Sequence, residues 1–133
     1  MDLIEHYNRN NYFGIHNNLE LTVLNEGEIE YSMLLEKKHF ATPNLVHGGA
    51  LAGFMDAILS VAAFTSVAAQ NQRVATIEFK INYLKPILRE MKIRGLGKVI
   101  KKGKRIIFVQ GEIYDDENNL AATGSGSIIP IDL

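Results

Sequence analysis

The chain has 133 residues, of which 47% are hydrophobic and 22% are charged, so it is long enough for one domain with one hydrophobic core. Its net charge of −1 argues against a nucleic-acid partner or binding to a membrane surface, since both favour an excess of basic residues. The sequence contains no cysteine, which excludes disulfides, a thiolate nucleophile and a cysteine-based metal site, and is compatible with a cytoplasmic protein.

The N-terminal third of the chain has the pattern of a short helix followed by a hairpin. Apolar side chains at helical spacing predict a helix within residues 1–13, ended near Gly14. We expect no signal peptide, because the start is acidic and its apolar run is short. Alternating apolar residues then predict two strands, 19–23 and 29–35, joined by a turn at 25–28.

The next segment, residues 44–69, is the most apolar part of the chain and predicts a buried helix. Apolar residues recur at helical spacing along one side, and the other side is apolar or small as well. Between His47 and Arg73 the only formal charge is Asp56. A lone carboxylate on a buried helix is costly unless it is hydrogen-bonded or takes part in chemistry. Asp56 is therefore the leading catalytic candidate. The run is shorter than the ~20 residues that span a bilayer, so we expect no membrane insertion.

His47, Gly48 and Gly49 stand at the predicted start of this helix. The first N–H groups of a helix have no partner within it and lie at the positive end of its dipole, so the two glycine amides are suited to polarising a carbonyl group. Asp56 lies about 10 Å farther along the helix axis from Gly49. If the carboxylate and these amides act on one substrate, two copies of the chain related by a two-fold axis would supply them.

Four more strands follow the helix. In the first, Ile77, Phe79, Ile81 and Tyr83 are predicted on one face, and Thr76, Glu78, Lys80 and Asn82 on the other. Three further strands, 91–100, 105–114 and 120–129, are joined by tight turns and must be antiparallel to one another. The sequence therefore predicts one α+β domain, residues 1–133, in which a curved antiparallel sheet wraps around one long central helix.

A histidine and two glycines that open this helix, with Asp56 nine residues after the histidine, resemble the hotdog-fold acyl-CoA thioesterases. Within that family, the chain is most similar to the group of phenylacetyl-CoA and 4-hydroxybenzoyl-CoA thioesterases. The resemblance covers about residues 19–129 and includes the strand 76–86 and the segment 121–126. It implies the hotdog fold and hydrolysis of an acyl-CoA or acyl-carrier thioester to a carboxylic acid and a free thiol. It also implies a homodimer or a tetramer of two dimers, without a cofactor other than the coenzyme A of the substrate.

The same resemblance implies the roles of individual residues. Asp56 would attack the thioester carbonyl or activate a water, while the N–H of Gly48 of the partner subunit would polarise that carbonyl. The Thr76 hydroxyl would hold the water or the carboxylate, and His47 would orient the loop or contact the thioester. Many relatives carry Asn or Gln six residues before the histidine, where this chain has Ala41. That departure leaves room for a protein that binds acyl-CoA without efficient turnover.

Further residues are candidates for binding the substrate. Asn44, three residues before His47, stands near the expected position of the missing amide, and Gly49 offers a second N–H group. A basic cluster around one predicted turn is either a solvated hairpin tip or a clamp for the phosphates of coenzyme A: Lys98, Lys101, Lys102, Lys104 and Arg105. The histidines lack the spacing of a metal site, and we expect no bound metal.

The expected acyl pocket lies at the dimer interface and is lined by Leu51, Phe54, Met55 and Ile58 or their neighbours. Two other functions remain open on the sequence. One is a hydratase or dehydratase that acts on acyl-thioesters, and the other is a non-catalytic module that binds or senses acyl-CoA. Release of free thiol from a panel of acyl-CoA substrates distinguishes the hydrolase from both.

Overall fold

In a computed structural model, which describes residues 2–132, the chain forms one large sheet, one long helix and several short elements. The α-helices are α1 (Leu3–Asn10), α2 (Tyr12–His16) and α3 (Gly48–Thr65), and 3-10 turns occupy Lys37–His39 and Ala68–Gln70. The strands are β1 (Leu19–Asn25), β2 (Glu28–Leu34), β3 (Phe40–Thr42), β4 (Leu45–Val46), β5 (Gln72–Tyr83), β6 (Lys92–Lys102), β7 (Ile107–Tyr114) and β8 (Leu120–Asp132).

The large sheet has six antiparallel strands in the order β1-β2-β6-β7-β8-β5, and β3 pairs separately with β4. Helix α3 packs against one face of this sheet and contacts β2, β5, β6, β7 and β8. The core is formed where the buried side of α3 meets the sheet, and its largest fully buried side chains include Tyr31, Phe54, Met55, Ile58, Ile93 and Ile113. The predicted fold, a curved antiparallel sheet around one central helix, is confirmed.

Glycines in the sheet allow α3 to approach the strands closely. A Cβ atom on Gly97 would lie 2.7 Å from the backbone oxygen of Ile58, and one on Gly124 would lie 2.8 Å from the Met55 side chain. Both distances are shorter than real Cβ contacts, so any larger residue would push the helix or its side chains away from the sheet. This close fit fixes the position of α3 relative to the strands, and with it the position of Asp56.

Two segments differ from the prediction in local detail. The predicted N-terminal helix is two helices, because the Asn11 side chain accepts a hydrogen bond from the Gly14 N–H at 3.0 Å and begins α2. The segment between β2 and α3, which the sequence suggested as a loop, contains a 3-10 turn and the short β3–β4 hairpin. Short elements of this kind are fixed by contacts with distant parts of the chain rather than by hydrophobic periodicity.

The predicted division of β5 into two faces is wrong on the N-terminal side of a β-bulge at Ile77. Thr76 pairs with Ile128 and Glu78 pairs with Ser127, so Ile77 is an extra residue that has no counterpart on β8. The extra residue reverses the alternation. Thr76 therefore faces α3, on the same side of the sheet as Phe79, Ile81 and Tyr83 rather than opposite them.

Helix α3 is also the one described helix that is long and apolar enough to be considered as a membrane span. It has 18 residues with a mean hydropathy of 1.5, and 56% of them are buried inside the protein. The contacts of α3 with five strands account for this composition, because a helix that forms the centre of a core is apolar for the same reason as a membrane span.

Candidate active site

Asp56 lies on the outer side of α3, where the sheet does not cover the helix. Leu51, Phe54, Met55 and Ile58 face the sheet and are 0–4% exposed, whereas Asp56 is half-buried. The sheet therefore covers these four residues and they do not line an acyl pocket, while the alternative that their neighbours line it stays a prediction. The prediction of a helix buried on all sides is wrong for the outer stripe that carries Asp56, which also includes Ala52, Gly53, Ala57 and Ser60.

The Asp56 carboxylate is held by one hydrogen bond from β5. The Thr76 hydroxyl donates to Asp56 Oδ1 at 2.7 Å, which the bulge at Ile77 makes possible. No described residue donates a hydrogen bond to the other oxygen, Oδ2. The side chain is thus oriented by one partner and keeps one oxygen free for a water molecule or a substrate.

The start of α3 presents one free amide rather than two. His47 is the N-cap residue, and its Nδ1 atom accepts a hydrogen bond from the Gly49 N–H at 2.7 Å. That bond leaves the neutral ring with its proton on Nε2, since Nδ1 is an acceptor. The His47 carbonyl accepts hydrogen bonds from the N–H groups of Ala50 and Leu51. Among residues 2–132, no group accepts a hydrogen bond from the Gly48 N–H. The donor expected at Gly49 is already used, and Gly48 carries the available one.

Asp56 and the Gly48 amide do not meet within one protomer. They are eight residues apart on the same helix, which corresponds to about 12 Å along its axis. Each group is nevertheless held by β5, because Thr76 bonds Asp56 and the Tyr83 hydroxyl donates to the Gly48 carbonyl at 2.7 Å. Strand β5 is at one end of the sheet, so one of its edges has no partner strand within the protomer.

A cavity of about 330 Å3 lies between α1, α3 and β5. Its lining includes Ser60, one helical turn after Asp56 on α3, and Val74, two residues before Thr76 on β5, whereas Asp56 itself does not line it. Its walls combine apolar and polar side chains: Leu3, His6, Tyr7, Asn10, Ser60, Val61, Phe64, Arg73 and Val74. The sequence did not predict this cavity, because its wall from α1 depends on how that helix packs against α3. The apolar spacing of Leu3 and Tyr7 could have indicated that one face of α1 is packed against the rest of the protein.

Two tyrosines, Tyr7 on α1 and Tyr31 on β2, have hydroxyl groups whose pKa is raised by burial. The Tyr7 ring packs edge-on against Phe64, with ring centroids 5.4 Å apart. Burial raises the pKa of Tyr7, and the negative charge of Asp56 contributes in the same direction. The Tyr31 hydroxyl is buried and has no hydrogen-bond partner among the described residues, and burial raises its pKa well above the ordinary value. Both phenols therefore remain neutral at physiological pH.

The remaining predicted binding residues lie elsewhere. Asn44 and Ala41 belong to the β3–β4 hairpin and line a separate surface groove with Leu88 and Arg89. In the basic cluster, Lys98 is 3.8 Å from Glu28, and Lys102 donates to the Ser66 carbonyl at 2.6 Å. The Lys102 ammonium group therefore caps the C-terminal end of α3, and its part in binding phosphate stays a prediction.

The other members of the basic cluster, Lys101, Lys104 and Arg105, are exposed at the β6–β7 turn. Since Lys102 joins that turn to the C-terminal end of α3, this part of the cluster lies at the opposite end of the helix from His47. Residues 2–132 contain no group of three acidic or histidine side chains arranged to hold a metal ion.

Comparison with known proteins gives consistent results for family and fold. The model of the thioesterase superfamily matches residues 43–122, which include the α3 start, Asp56 and Thr76. A Thermoplasma volcanium protein whose name proposes esterase activity is 30% identical over 103 residues, covering 77% of this chain and 75% of that protein. A Saccharolobus solfataricus protein with the same kind of name is 30% identical over 117 residues, covering 88% of this chain and 73% of that protein.

Solved structures show the same fold at low sequence identity. A thioesterase from Haemophilus influenzae superimposes with a TM-score of 0.87 at 23% identity, covering 100% of this chain and 93% of the other. The E. coli PaaI protein from the phenylacetic acid degradation operon superimposes with a TM-score of 0.83 at 17% identity, covering 96% and 89%.

Proposed function

Since the chain belongs to the thioesterase superfamily, we propose that it hydrolyses an acyl-CoA or acyl-carrier thioester to the carboxylic acid and the free thiol. The observation that carries this proposal is a carboxylate with one free oxygen on the outer side of α3, together with one unpaired amide at the start of the same helix. A carboxylate and a positioned amide donor are the two groups that acyl transfer requires.

The active site is completed by a second copy of the chain. The free edge of β5 offers a place for the same strand of the partner, and two such strands would pair antiparallel about a two-fold axis. Thr76 and Tyr83 are seven residues apart on β5 and hold Asp56 and Gly48, respectively. An axis midway between them sets each Thr76 opposite the partner's Tyr83. Each Asp56 then faces the partner's Gly48.

The chemistry needs only these two groups and water. Asp56 takes a proton from a water molecule that attacks the thioester carbon, and the resulting oxyanion accepts a hydrogen bond from the Gly48 N–H. Collapse of this intermediate breaks the C–S bond, and the departing thiolate takes the proton from Asp56. In the second route Asp56 attacks the carbon itself and the C–S bond breaks to expel the thiolate, which takes a proton from water. Hydroxide or water then hydrolyses the mixed anhydride, which releases the carboxylic acid and restores the Asp56 carboxylate.

The cavity between α1, α3 and β5, whose lining begins at Ser60 one helical turn from Asp56, is the proposed site of the acyl group. Its apolar walls from α1, α3 and β5 suit the hydrocarbon part of an acyl chain or ring, because burying apolar surface is the main driving force for binding. The exposed residues Lys101, Lys104 and Arg105 remain candidates for the coenzyme A phosphates only if the partner or the extended substrate reaches the far end of α3.

Complementation between two inactive variants tests the shared site. Asp56→Ala removes the carboxylate, and Gly48→Pro removes the amide proton. Proline suits this position because Gly48 is the first helical residue and His47 already has extended dihedral angles, with φ −66 and ψ 130. Gly48→Ala is the matched control, since it adds the same Cβ atom next to Tyr83 but keeps the N–H group.

We expect the Asp56→Ala dimer to be inactive and the Gly48→Pro dimer to lose about 10²–10³-fold in kcat, with a much smaller loss for Gly48→Ala. Random mixing of the two inactive variants should restore about a quarter of wild-type activity, because half of the dimers are mixed and each has one intact site. Thiol release is the measurement. Mixed dimers without activity, or full activity of Asp56→Ala, would contradict the proposal.

The same assay with acyl-CoA substrates also tests the two alternative functions, a hydratase and a module that only binds acyl-CoA. His47 Nδ1 cannot serve as the base of a hydratase because it accepts the Gly49 N–H, so Asp56 would have to be the base in that reaction as well. A change in double-bond absorbance without thiol release would nevertheless identify a hydratase, and binding without either would identify a sensor. We also propose a cytoplasmic location, which the absence of cysteine supports and cell fractionation would test.

A further inference from the structure

Two aromatic side chains hold one peptide group at the start of α3. The peptide that joins Gly48 to Gly49 donates its N–H to His47 Nδ1 at 2.7 Å, and its carbonyl accepts a hydrogen bond from the Tyr83 hydroxyl at 2.7 Å. Both polar atoms of this peptide are thus fixed by side chains. The amide of Gly48, one peptide earlier, remains free.

The same two rings pack directly on the glycines. A Cβ atom on Gly48 would lie 3.2 Å from the Tyr83 hydroxyl oxygen and 3.3 Å from its Cζ atom. A Cβ atom on Gly49 would lie 2.8 Å from His47 Nδ1. The two rings therefore occupy the space that a side chain at Gly48 or Gly49 would fill. This packing explains why both positions are glycine.

Consecutive glycines at a helix start need such support. Glycine has more backbone freedom than any other residue, and the first turn of a helix lacks half of its internal hydrogen bonds. His47 belongs to the same segment and moves with it, whereas Tyr83 belongs to β5 and joins the helix start to the sheet. Tyr83 is therefore the side chain that ties Gly48 itself to the sheet.

We propose that Tyr83 is a positioning residue for the reaction, because its hydroxyl holds Gly48 where the free N–H can bond the thioester carbonyl. This inference rests on the proposed function and adds a residue to it. Tyr83 does not touch the substrate in this role and acts through the Gly48–Gly49 peptide. Strand β5 then positions both halves of the site, through Thr76 on Asp56 and through Tyr83 on Gly48.

Tyr83→Phe is the decisive variant, because it keeps the ring on Gly48 and removes only the hydrogen bond. We expect kcat to fall about tenfold, less than the hundredfold or greater loss on removal of an oxyanion donor, with KM nearly unchanged. Tyr114→Phe is the matched control. It removes a phenol hydroxyl from a ring that packs against Arg94, away from α3, and should leave kcat unchanged.

A spectroscopic measurement separates positioning from general stability. With substrate bound to Asp56→Ala, infrared difference spectra of a 13C-labelled thioester carbonyl should show a shift to lower frequency than in water. The shift should be smaller in the Asp56→Ala/Tyr83→Phe double variant. An equal shift in both, together with unchanged kcat in Tyr83→Phe, would overturn the role of Tyr83.

A third readout does not depend on turnover. The 13C resonance of the Gly48 carbonyl should move in Tyr83→Phe when the hydrogen bond is lost, and an unchanged resonance would also overturn the inference. If the wild-type protein releases no thiol from any substrate while this resonance still moves, the proposed function fails and the structural contact stands. If the wild type is active and Tyr83→Phe matches it in kcat and carbonyl frequency, only the inference about Tyr83 fails.

Discussion

At the scale of single residues, the site is defined by which polar atoms are already paired. Thr76 occupies one oxygen of Asp56, His47 occupies the Gly49 N–H, and Lys102 is bonded to the end of α3. What remains is one carboxylate oxygen and the amide of Gly48. Several groups that looked equivalent in the sequence are therefore not equivalent in the folded protein.

The hydrogen bond from Thr76 should matter for turnover more than for folding. Thr76→Val keeps the β-branched shape on β5 and removes the only described donor to Asp56, so the carboxylate loses its fixed orientation. We expect kcat to fall about tenfold, equivalent to ~1.4 kcal/mol, with a small change in thermal stability. Thr76→Ser keeps the hydroxyl and should retain most of the activity in the same steady-state assay. Wild-type kcat in Thr76→Val would show that Asp56 does not depend on this contact.

At the scale of elements, the loop before α3 is fixed by one buried histidine. His39 Nδ1 accepts a hydrogen bond from the Glu36 N–H at 2.9 Å, and its Nε2 lies 3.0 Å from Asn17 Oδ1. The His39 carbonyl accepts the His47 N–H at 2.8 Å. His39 thus links Asn17, through its ring, to His47, the residue that caps α3, through its carbonyl. It bonds as a neutral imidazole with its proton on Nε2, because Nδ1 serves as an acceptor.

Stability should therefore fall in mild acid through His39. Burial lowers the pKa of His39, and the positive charge of Lys38 lowers it further. Below about pH 6.5, the ordinary pKa of histidine, the unfolded chain takes up a proton that the folded chain does not, so the free energy of unfolding decreases as pH falls from that value toward the lowered pKa. Urea unfolding at pH 7.5 and at pH 5.5 measures this difference.

The variant His39→Gln should cost about 1–3 kcal/mol at pH 7.5, because buried hydrogen bonds are lost, but it should lose less stability than wild type on going to pH 5.5. His6→Gln, at an exposed histidine on α1, controls for the replacement itself. An identical pH dependence in wild type and His39→Gln would exclude His39 as the origin of the acid sensitivity.

At the scale of the whole molecule, the sequence predicts what periodicity encodes and misses what packing decides. The apolar spacing of residues 48–65 and the alternation along β2, β6 and β7 identify the helix, the strands and hence the fold. The bulge at Ile77 has no local signature, because the partner strand β8 sets the register. The face that carries Thr76 and the cavity formed with α1 could not be predicted for the same reason.

We propose that the site requires two chains, and the exposed edge of β5 provides the place to test this. Ile77 is 53% exposed at the bulge on this edge, and we propose that the partner's β5 covers it. Ile77→Lys would place an ammonium group without a partner in that contact, and burying an unpaired charge is strongly unfavourable. We expect the variant to run as a monomer and to lose most of its thiol release, although Asp56 and Gly48 are unchanged.

The matched control is Ile106→Lys, at a residue that is 49% exposed next to the β6–β7 turn and far from the β5 edge. It should keep both the native mass and the activity of wild type. Light scattering during size-exclusion chromatography gives the mass, and the same fractions give the activity per protomer. For wild type, activity per protomer should fall on dilution in step with dimer dissociation, because a single chain holds its carboxylate about 12 Å from its own free amide. A monomeric Ile77→Lys with wild-type activity would show that one chain is sufficient, and the shared site would have to be abandoned.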